Sequence, residues 1–511
     1  MEWYKNLLRV MAASPWGAVA ALLAGAVWPL AFAPYGYWPV AIVSLLLLFC
    51  AWFAVKPWKA FWRGYLFGVG MFGFGVTWVH ISIYTFGGVP LPLSIFLTGL
   101  FVAFLALFPA LTGYVVVRFC AGLSTRSMRW FLVAALPAVW VLGEMLRGWV
   151  FSGFPWLNAG YSQTDGPLRG LGPILGVYGL SWAVAFAAGV VAAALGEVQT
   201  RVRIRLVATL AGFFLIGFAT AFIPWTEKTG APLKIALVQG NIPQDMKWSP
   251  DMRQPTIDLY ANLSAQHQDA DLIVWPETAL PDFYHRQLDV IQALGARGRA
   301  SNTDFLVGVL YLDRETGRYY NSMVSIGSSE GFYHKRHLVP FTEYLPLKNV
   351  FGSIVEFMRV PMSDFTPGDE AQAPLVVAGQ PAGISICFED AFGEEIRKAL
   401  PESTLLVNVS NDAWFGGSDA PHQHLQMARM RALESGRPLL RGTNTGLTAI
   451  ADHRGVLVGI APQFEATVLT GEVQPMAGST PFILFGNAVV FGGVTLVFIG
   501  CAWRARRVRG G

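Results

Sequence analysis

Runs of about 20 mostly apolar residues recur along this chain, and each is long enough to cross roughly 30 Å of hydrocarbon as a helix. Eight are expected, near residues 12–31, 38–55, 64–83, 91–117, 130–145, 174–195, 206–223 and 482–501. Pro29, Pro34 and Pro39 crowd the connection between the first two, so that pair reads either as two spans or as a re-entrant hairpin. Such runs leave few folds open, because a backbone in lipid must satisfy its own hydrogen bonds. Composition agrees: 14% of the 511 residues are charged, against about 25% in a soluble domain. The 36 Phe, 18 Trp and 15 Tyr exclude a disordered chain.

Charge divides the chain into two materials. Residues 224–480 hold 20 Lys and Arg against 29 Asp and Glu, a net of −9; the remainder holds 17 against 4, a net of +13. Cytoplasmic loops retain Lys and Arg. With the amino terminus inside, the inner segments carry 15 of these cations, from Lys5 and Arg9 to the terminal Arg504, Arg506, Arg507 and Arg509, and the short outer loops carry Arg147 and Arg169. Both termini are therefore expected in the cytoplasm and residues 224–480 outside. The Ala31-Phe32-Ala33 triplet looks like a signal-peptidase site, but its apolar run is long for a signal core and another span follows at once, so it reads as retained. The terminal arginine cluster reads as an inside anchor; no nucleic-acid motif accompanies it.

The outside block alternates short β-rich runs (residues 234–239, 272–275, 305–310, 322–326, 383–387, 405–410 and 447–451) with helix-like stretches at 256–267, 287–299, 393–400 and 422–434. Several runs are apolar throughout, as in strands buried on both faces. The expectation is a multi-pass α-helical membrane domain, residues 1–223, joined to a layered α/β domain, 224–480, with a last span and basic tail in 481–511. In such sheets chemistry collects where strands end. Glu277 follows one strand in Trp275-Pro276-Glu277, Cys387 ends another before Phe388-Glu389-Asp390, and Asn411 to Phe415 follow a third.

Cys50, Cys120 and Cys501 fall in or beside predicted spans, leaving Cys387 as the outside block's only cysteine. An unpaired thiol in an oxidising compartment is either an inert core residue or a reactive one. A strand running straight into a helix start favours reactivity, since backbone N–H groups there lower a thiol pKa, and the Phe388 N–H is placed to face an oxyanion. Glu277 is the candidate base and Lys335 the candidate cation beside it, each balanced against a plain surface role.

Together, Trp275-Pro276-Glu277, Lys335 with His337-Leu338-Val339-Pro340-Phe341 and Glu343-Tyr344, and Cys387-Phe388-Glu389 resemble the nitrilase superfamily, whose site is a Glu-Lys-Cys triad in an αββα sandwich. With seven spans before that domain and one after, the whole chain is similar to the apolipoprotein N-acyltransferase family of bacterial inner membranes. The resemblance implies Glu277 as base, Lys335 as cationic stabiliser, Cys387 as nucleophile and Glu343 as a second glutamate orienting Lys335. Phe388 stands where the family commonly has tyrosine, leaving its N–H but no hydroxyl. The Ile242-Pro243-Gln244 segment with Lys247-Trp248, the Phe154-Pro155-Trp156 loop and the Ser410 to Phe415 segment also look like family segments.

The implied reaction moves an acyl chain from a phospholipid to Cys387, and then to the α-amino group of the diacylglyceryl-modified N-terminal cysteine of an apolipoprotein. The implied protein is an inner-membrane monomer needing no cofactor and no metal. Trp248, Glu389, Trp414, Phe415 and Trp156 are candidate substrate-binding residues, and the apolar stretch 345–362 is a candidate lid. Of the polar residues in spans, His80, Glu144 and Arg147 are candidates for function, with an ion pair between Glu144 and Arg147 as the plainer expectation. His285, His422 and His424 lack metal-site spacing. Two other readings compete: a membrane-tethered amidase with water as acceptor, and a transporter or receptor whose outside block only binds ligand.

Overall fold

A computed structural model describes residues 15–120, 129–340, 342–344 and 364–510, and the candidate lid at 345–362 lies outside them. The chain divides into two compact units: Met1–His80, Leu91–Ile223 and Phe485–Gly511 in one, Ile81–Pro90 and Pro224–Leu484 in the other.

The first unit is helical. Leu91–Cys120, Arg169–Gly196, Thr200–Thr220 and Ala488–Arg507 are long and apolar enough to cross a membrane, and Pro57–Gly75 with Val79–Phe86 forms a fifth such element bent by 58°. Trp16–Val27 spans 12 residues, Pro39–Trp52 spans 14 and Leu136–Arg147 spans 12, short of the 20 or so that a straight crossing takes. The sequence count of eight thus meets four or five elements that pass by length and composition among the described residues. Proline explains part of the difference: it starts Pro39–Trp52 and Pro57–Gly75 and sits in the 3-10 turn Trp28–Ala31, so apolar runs are cut into shorter helices.

Small residues bring these helices together. A Cβ on Gly25 would lie 2.0 Å from the Phe67 carbonyl oxygen, and one on Gly70 would lie 2.3 Å from that of Leu22. Trp16–Val27 and Pro57–Gly75 therefore meet backbone to backbone, as helices in lipid commonly do. Glu144 and Arg147 are both buried, and each is hydrogen-bonded to the loop ahead. Arg147 donates to the Trp156 carbonyl (2.6 Å) and to Asn158 Oδ1 (2.5 Å). Glu144 Oε1 accepts from Trp140 Nε1 and the Ala159 N–H, both at 2.9 Å. Opposite charge draws the two together as expected, and the returning loop adds hydrogen-bond partners for both. His80 is half-buried, its Nδ1 2.5 Å from the Thr77 carbonyl.

Among the described residues of the second unit, fourteen strands form two six-stranded sheets and a two-stranded ribbon. Numbered in chain order they are β1 Thr226–Lys228, β2 Leu233–Gln239, β3 Leu272–Val274, β4 Asp304–Leu312, β5 Tyr319–Ile326, β6 Gly331–His334, β7 Leu375–Val377, β8 Gln380–Ile386, β9 Leu405–Ser410, β10 Leu439–Thr443, β11 Ala449–Ala451, β12 Leu457–Ile460, β13 Thr467–Val473 and β14 Met476–Gly478. One sheet runs β13-β2-β3-β4-β5-β6 and the other β12-β11-β10-β9-β8-β7. Each has a parallel centre, β2-β3-β4 and β8-β9-β10, edged by antiparallel strands.

Strand alternation assigns the layers. On β2, Ile235 and Leu237 enter a core shared with Ile384 and Ile386 of β8 and Val407 and Val409 of β9, whereas Ala236 and Val238 face Ile257, Tyr260, Ile291 and Leu294. The latter four lie on the helices Pro250–Ala265 and Leu288–Ser301. Across the sandwich, Leu406 and Leu439 pack on Ala428 and Ala432 of the helix Ala420–Ser435. Two sheets face each other with helices outside both, the αββα sandwich. Each fully buried aliphatic side chain here contributes roughly 1.5–3 kcal/mol, so the central layer holds the strand ends in place.

Candidate active site

Three loops at strand ends carry the expected triad. Glu277 follows β3, Lys335 follows β6 and Cys387 follows β8. The Glu277 turn is strapped to β4: the Trp275 N–H donates to Leu306 O (2.9 Å) and the Leu280 N–H to Gly308 O (3.1 Å). The approach is so close that a Cβ on Gly308 would sit 2.2 Å from Pro276 O and 2.9 Å from Glu277 Cα. Thr278 and Cys387 both take left-handed backbone conformations, at φ +46° and +53°. Each is held there against a steric preference, which swings its neighbourhood off the strand direction.

Lys335 Nζ lies 2.8 Å from Glu343 Oε1 and 3.8 Å from Glu277 Oε1. Its side chain is 1% exposed. Glu277 is fixed at both oxygens, Oε1 accepting from Asn321 Nδ2 (2.7 Å) and Oε2 from the Asn411 N–H (2.9 Å). Glu343 accepts from the Val339 N–H (2.8 Å) through Oε2. Burial alone would strip the Lys335 charge, but Glu343, the Cys387 sulfur and Glu277 outweigh it and hold its pKa above the ordinary lysine value. Lys335 is thus a fixed cation between two carboxylates.

The thiol departs from expectation. Burial pushes the Cys387 pKa up, Glu277 adds to the rise, Lys335 opposes it, and Asp412 and Glu343 raise it further. A helix start was expected to lower it. The turn Cys387–Ala391 is a five-residue 3-10 helix, too short for a sizeable dipole, and the Ile386 N–H at its mouth donates to Glu389 Oε2 (2.7 Å). The resting group is therefore a protonated thiol facing carboxylates, which needs a base to become a nucleophile.

Glu389 holds a different place from the substrate contact expected of it. It is fully buried, and besides Ile386 it accepts from Tyr333 Oη (2.9 Å) and the N–H groups of Arg336 (2.6 Å) and His337 (3.1 Å). With four donors on two oxygens it ties the Cys387 turn to the Lys335 loop. Phe388 is buried beside Phe392 and His337, with ring centroids 5.1 and 5.9 Å away. Trp156 is 3% exposed, stacked on Phe154 at 5.6 Å in the helical unit, so its ring is core there and not a surface for substrate. Trp248 is 39% exposed and Trp414 36%. Phe415 is half-buried, and Trp414 meets Phe86 of the Ile81–Pro90 segment at 5.2 Å.

Several site residues carry no signal in a single sequence. Asn321, between Tyr320 and Ser322 on β5, bridges Glu277 and Glu343, 2.7 and 3.4 Å away; a buried amide on a core strand is its only trace. Lys247 is buried and donates to Thr278 Oγ1 (2.5 Å) and Glu277 O (3.2 Å). Burial draws its pKa down to about 8, with Glu277 opposing. His424 belongs to a carboxylate cluster and not with the other histidines: His285 stacks on Phe283 at 5.8 Å.

The arrangement offers a nucleophile, a carboxylate to take its proton and a buried cation to meet developing negative charge, the parts of covalent acyl transfer. Comparison with known proteins points the same way. Residues 24–190 match the family model of the apolipoprotein N-acyltransferase N-terminal domain, and residues 234–482 match that of carbon-nitrogen hydrolase. The chain is 48% identical to the apolipoprotein N-acyltransferase of Methylococcus capsulatus over 95% of its own length and 96% of the relative's. It is 43% identical to that of Nitrosomonas europaea, covering 94% and 96%, and 40% identical to that of Coxiella burnetii, covering 94% and 99%. A helical unit of apolar elements and an αββα sandwich with a glutamate, lysine and cysteine at its strand ends therefore make one protein, and the chain belongs to the apolipoprotein N-acyltransferase family.

Proposed function

We propose that this enzyme transfers an acyl chain from a phospholipid to Cys387 and then to the α-amino group of the diacylglyceryl-cysteine that begins an apolipoprotein. Glu277 takes the thiol proton as sulfur attacks the ester carbonyl, and Lys335 with the Phe388 N–H balances the oxyanion. The C–O bond breaks, Glu277 returns its proton to the departing lysophospholipid oxygen, and a thioester remains. The amine then attacks that thioester, its proton passes to Glu277, the C–S bond breaks and the proton returns to sulfur. A thioester is the higher-energy acyl derivative, so no nucleotide is consumed.

The observation that carries this reading is geometric: at the strand ends that carry Glu277, Lys335 and Cys387, a buried lysine is held between two carboxylates, 2.8 Å from Glu343 and 3.8 Å from Glu277, so Glu277 is the group set to accept the thiol proton. Both substrates are held in lipid, and the membrane supplies their meeting place. The helix Thr200–Thr220 presents apolar side chains outward, Leu215 being 67% exposed, as a hydrocarbon-facing helix does. The Lys and Arg bias supports a topology with both termini in the cytoplasm and the sandwich in the periplasm of a bacterial inner membrane. The shorter helices complete a bundle of eight crossings, and the enzyme works as a monomer.

The test is incubation of the purified protein with radiolabelled phospholipid and no apolipoprotein. A stable, hydroxylamine-sensitive acyl-protein supports the transfer. Steady release of free fatty acid overturns it in favour of a hydrolase.

A further inference from the structure

Behind Cys387 four buried side chains close a ring of alternating charge. His424 Nδ1 lies 3.0 Å from Asp412 Oδ1 and its Nε2 2.9 Å from Asp390 Oδ1. Arg441 closes the ring, Nη1 to Asp390 Oδ2 at 2.9 Å and Nη2 to Asp412 Oδ2 at 3.0 Å. All four side chains are at most 3% exposed. A carboxylate oxygen against each imidazole nitrogen calls for a donor at both, so His424 is an imidazolium. Burial and Arg441 oppose that charge, but Asp390 and Asp412 outweigh them and lift the pKa to about 9.

The ring draws on four separate elements: the Cys387 turn, the turn after β9, the strand β10 and the helix Ala420–Ser435. It converges on one acceptor. His424 Nε2 and Asn408 Nδ2 each lie 3.3 Å from the carbonyl oxygen of Cys387. Asn408 is itself steadied by Arg441, which donates to its Oδ1. That carbonyl belongs to the same peptide unit as the Phe388 N–H. Charge drawn to one end of a peptide polarises the other, as in any chain of hydrogen bonds in low dielectric.

We infer that His424 is a positioning residue for the acyl transfer: with Asn408 it holds the Cys387 carbonyl and, through that peptide, strengthens the Phe388 N–H as a donor to the oxyanion. The inference rests on the proposed reaction and adds to it a cation that never touches substrate. It separates two properties of the site. Acylation builds an oxyanion and needs the polarised N–H; alkylation of the same sulfur by iodoacetamide builds none and does not.

The experiment measures both rates at Cys387, by mass spectrometry of its peptide, in the full-length protein and in His424→Gln and Asn408→Ala. Acyl-enzyme formation from phospholipid is expected to fall about 10- to 100-fold in His424→Gln, less than the loss of a whole oxyanion donor. The fall lies in the maximal rate, with half-saturating phospholipid unchanged, and alkylation stays within about threefold of wild type because no oxyanion forms in it. Asn408→Ala, which removes the second donor to the same carbonyl, gives the same signature and serves if the histidine variant unfolds. Equal acylation in a folded variant, or acylation and alkylation falling together, overturns the inference and leaves the proposed reaction standing. Failure of the wild type to acylate at all overturns the proposed reaction, and the inference with it.

Discussion

At Cys387 the sulfur is held away from ionisation by burial and by the carboxylates around it, so in the proposed reaction it depends on Glu277 to take its proton. Cys387→Ser is expected to abolish the acyl-enzyme, because the same base leaves a serine hydroxyl a far weaker nucleophile; intact-mass measurement after phospholipid exposure reads this directly. Glu343→Gln removes the carboxylate nearest Lys335 and keeps its shape. Turnover is expected to fall by about 10- to 1,000-fold, the range seen when a preorganised electrostatic contact is lost, with little change in the far-ultraviolet circular dichroism. His424 gives a stability test. Its pKa is raised from 6.5 to about 9, so its contribution is complete below about pH 6.5 and is lost as pH rises through 9, amounting to on the order of 3 kcal/mol. Lys247, drawn down to about 8, gives the opposite slope above that pH. The comparison is therefore wild type minus His424→Gln in urea unfolding at pH 6 and pH 9.5, and the difference is expected to shrink at the higher pH. The triad was legible because each member follows a rigid strand end with marked neighbours, as Glu277 follows Trp275-Pro276. Asn321, His424 and Arg441 were not, because their partners lie 12 to 51 positions away and only the fold brings them near.

Among the elements, β4 governs the base. Gly308 leaves room for the Glu277 turn where any Cβ would strike backbone atoms. Gly308→Ala is expected to move that turn and lower the acylation rate by about 100-fold, the scale of an ångström-sized misplacement. Unchanged acylation would show that the Glu277 turn has slack. Close approach also sets the helical unit: Gly70→Leu drives a side chain into the Leu22 carbonyl and is expected to destabilise the detergent-solubilised protein by several kcal/mol, read as a lower thermal midpoint. The central strands β2, β3, β4, β8 and β9 were legible from largely apolar runs. The edge strands β7, β12 and β13 were not, since residues such as Val376 and Val458 are exposed and alternate with buried or half-buried ones over only three to seven residues. The helix boundaries at Ala420–Ser435 and Leu288–Ser301 came within a few residues, because their apolar faces repeat clearly.

Across the whole chain, two materials answer two solvents. The net of −9 in residues 224–480 and of +13 elsewhere separated the sandwich from the helices before any fold was known, because solubility and membrane crossing impose opposite compositions. The number of crossings was harder to read, since hydropathy registers a run of apolar residues and not the prolines and 58° bend that divide it. The proposed reaction takes lipid-borne substrates through an intermediate of one acyl chain on one sulfur. Mass spectrometry of the purified protein after exposure to a phospholipid of defined chains tests this most directly. The predicted result is a mass increase of one acyl group on the Cys387 peptide, removed by hydroxylamine and absent in Glu277→Gln. An unmodified Cys387 in protein that still acylates apolipoprotein would contradict it.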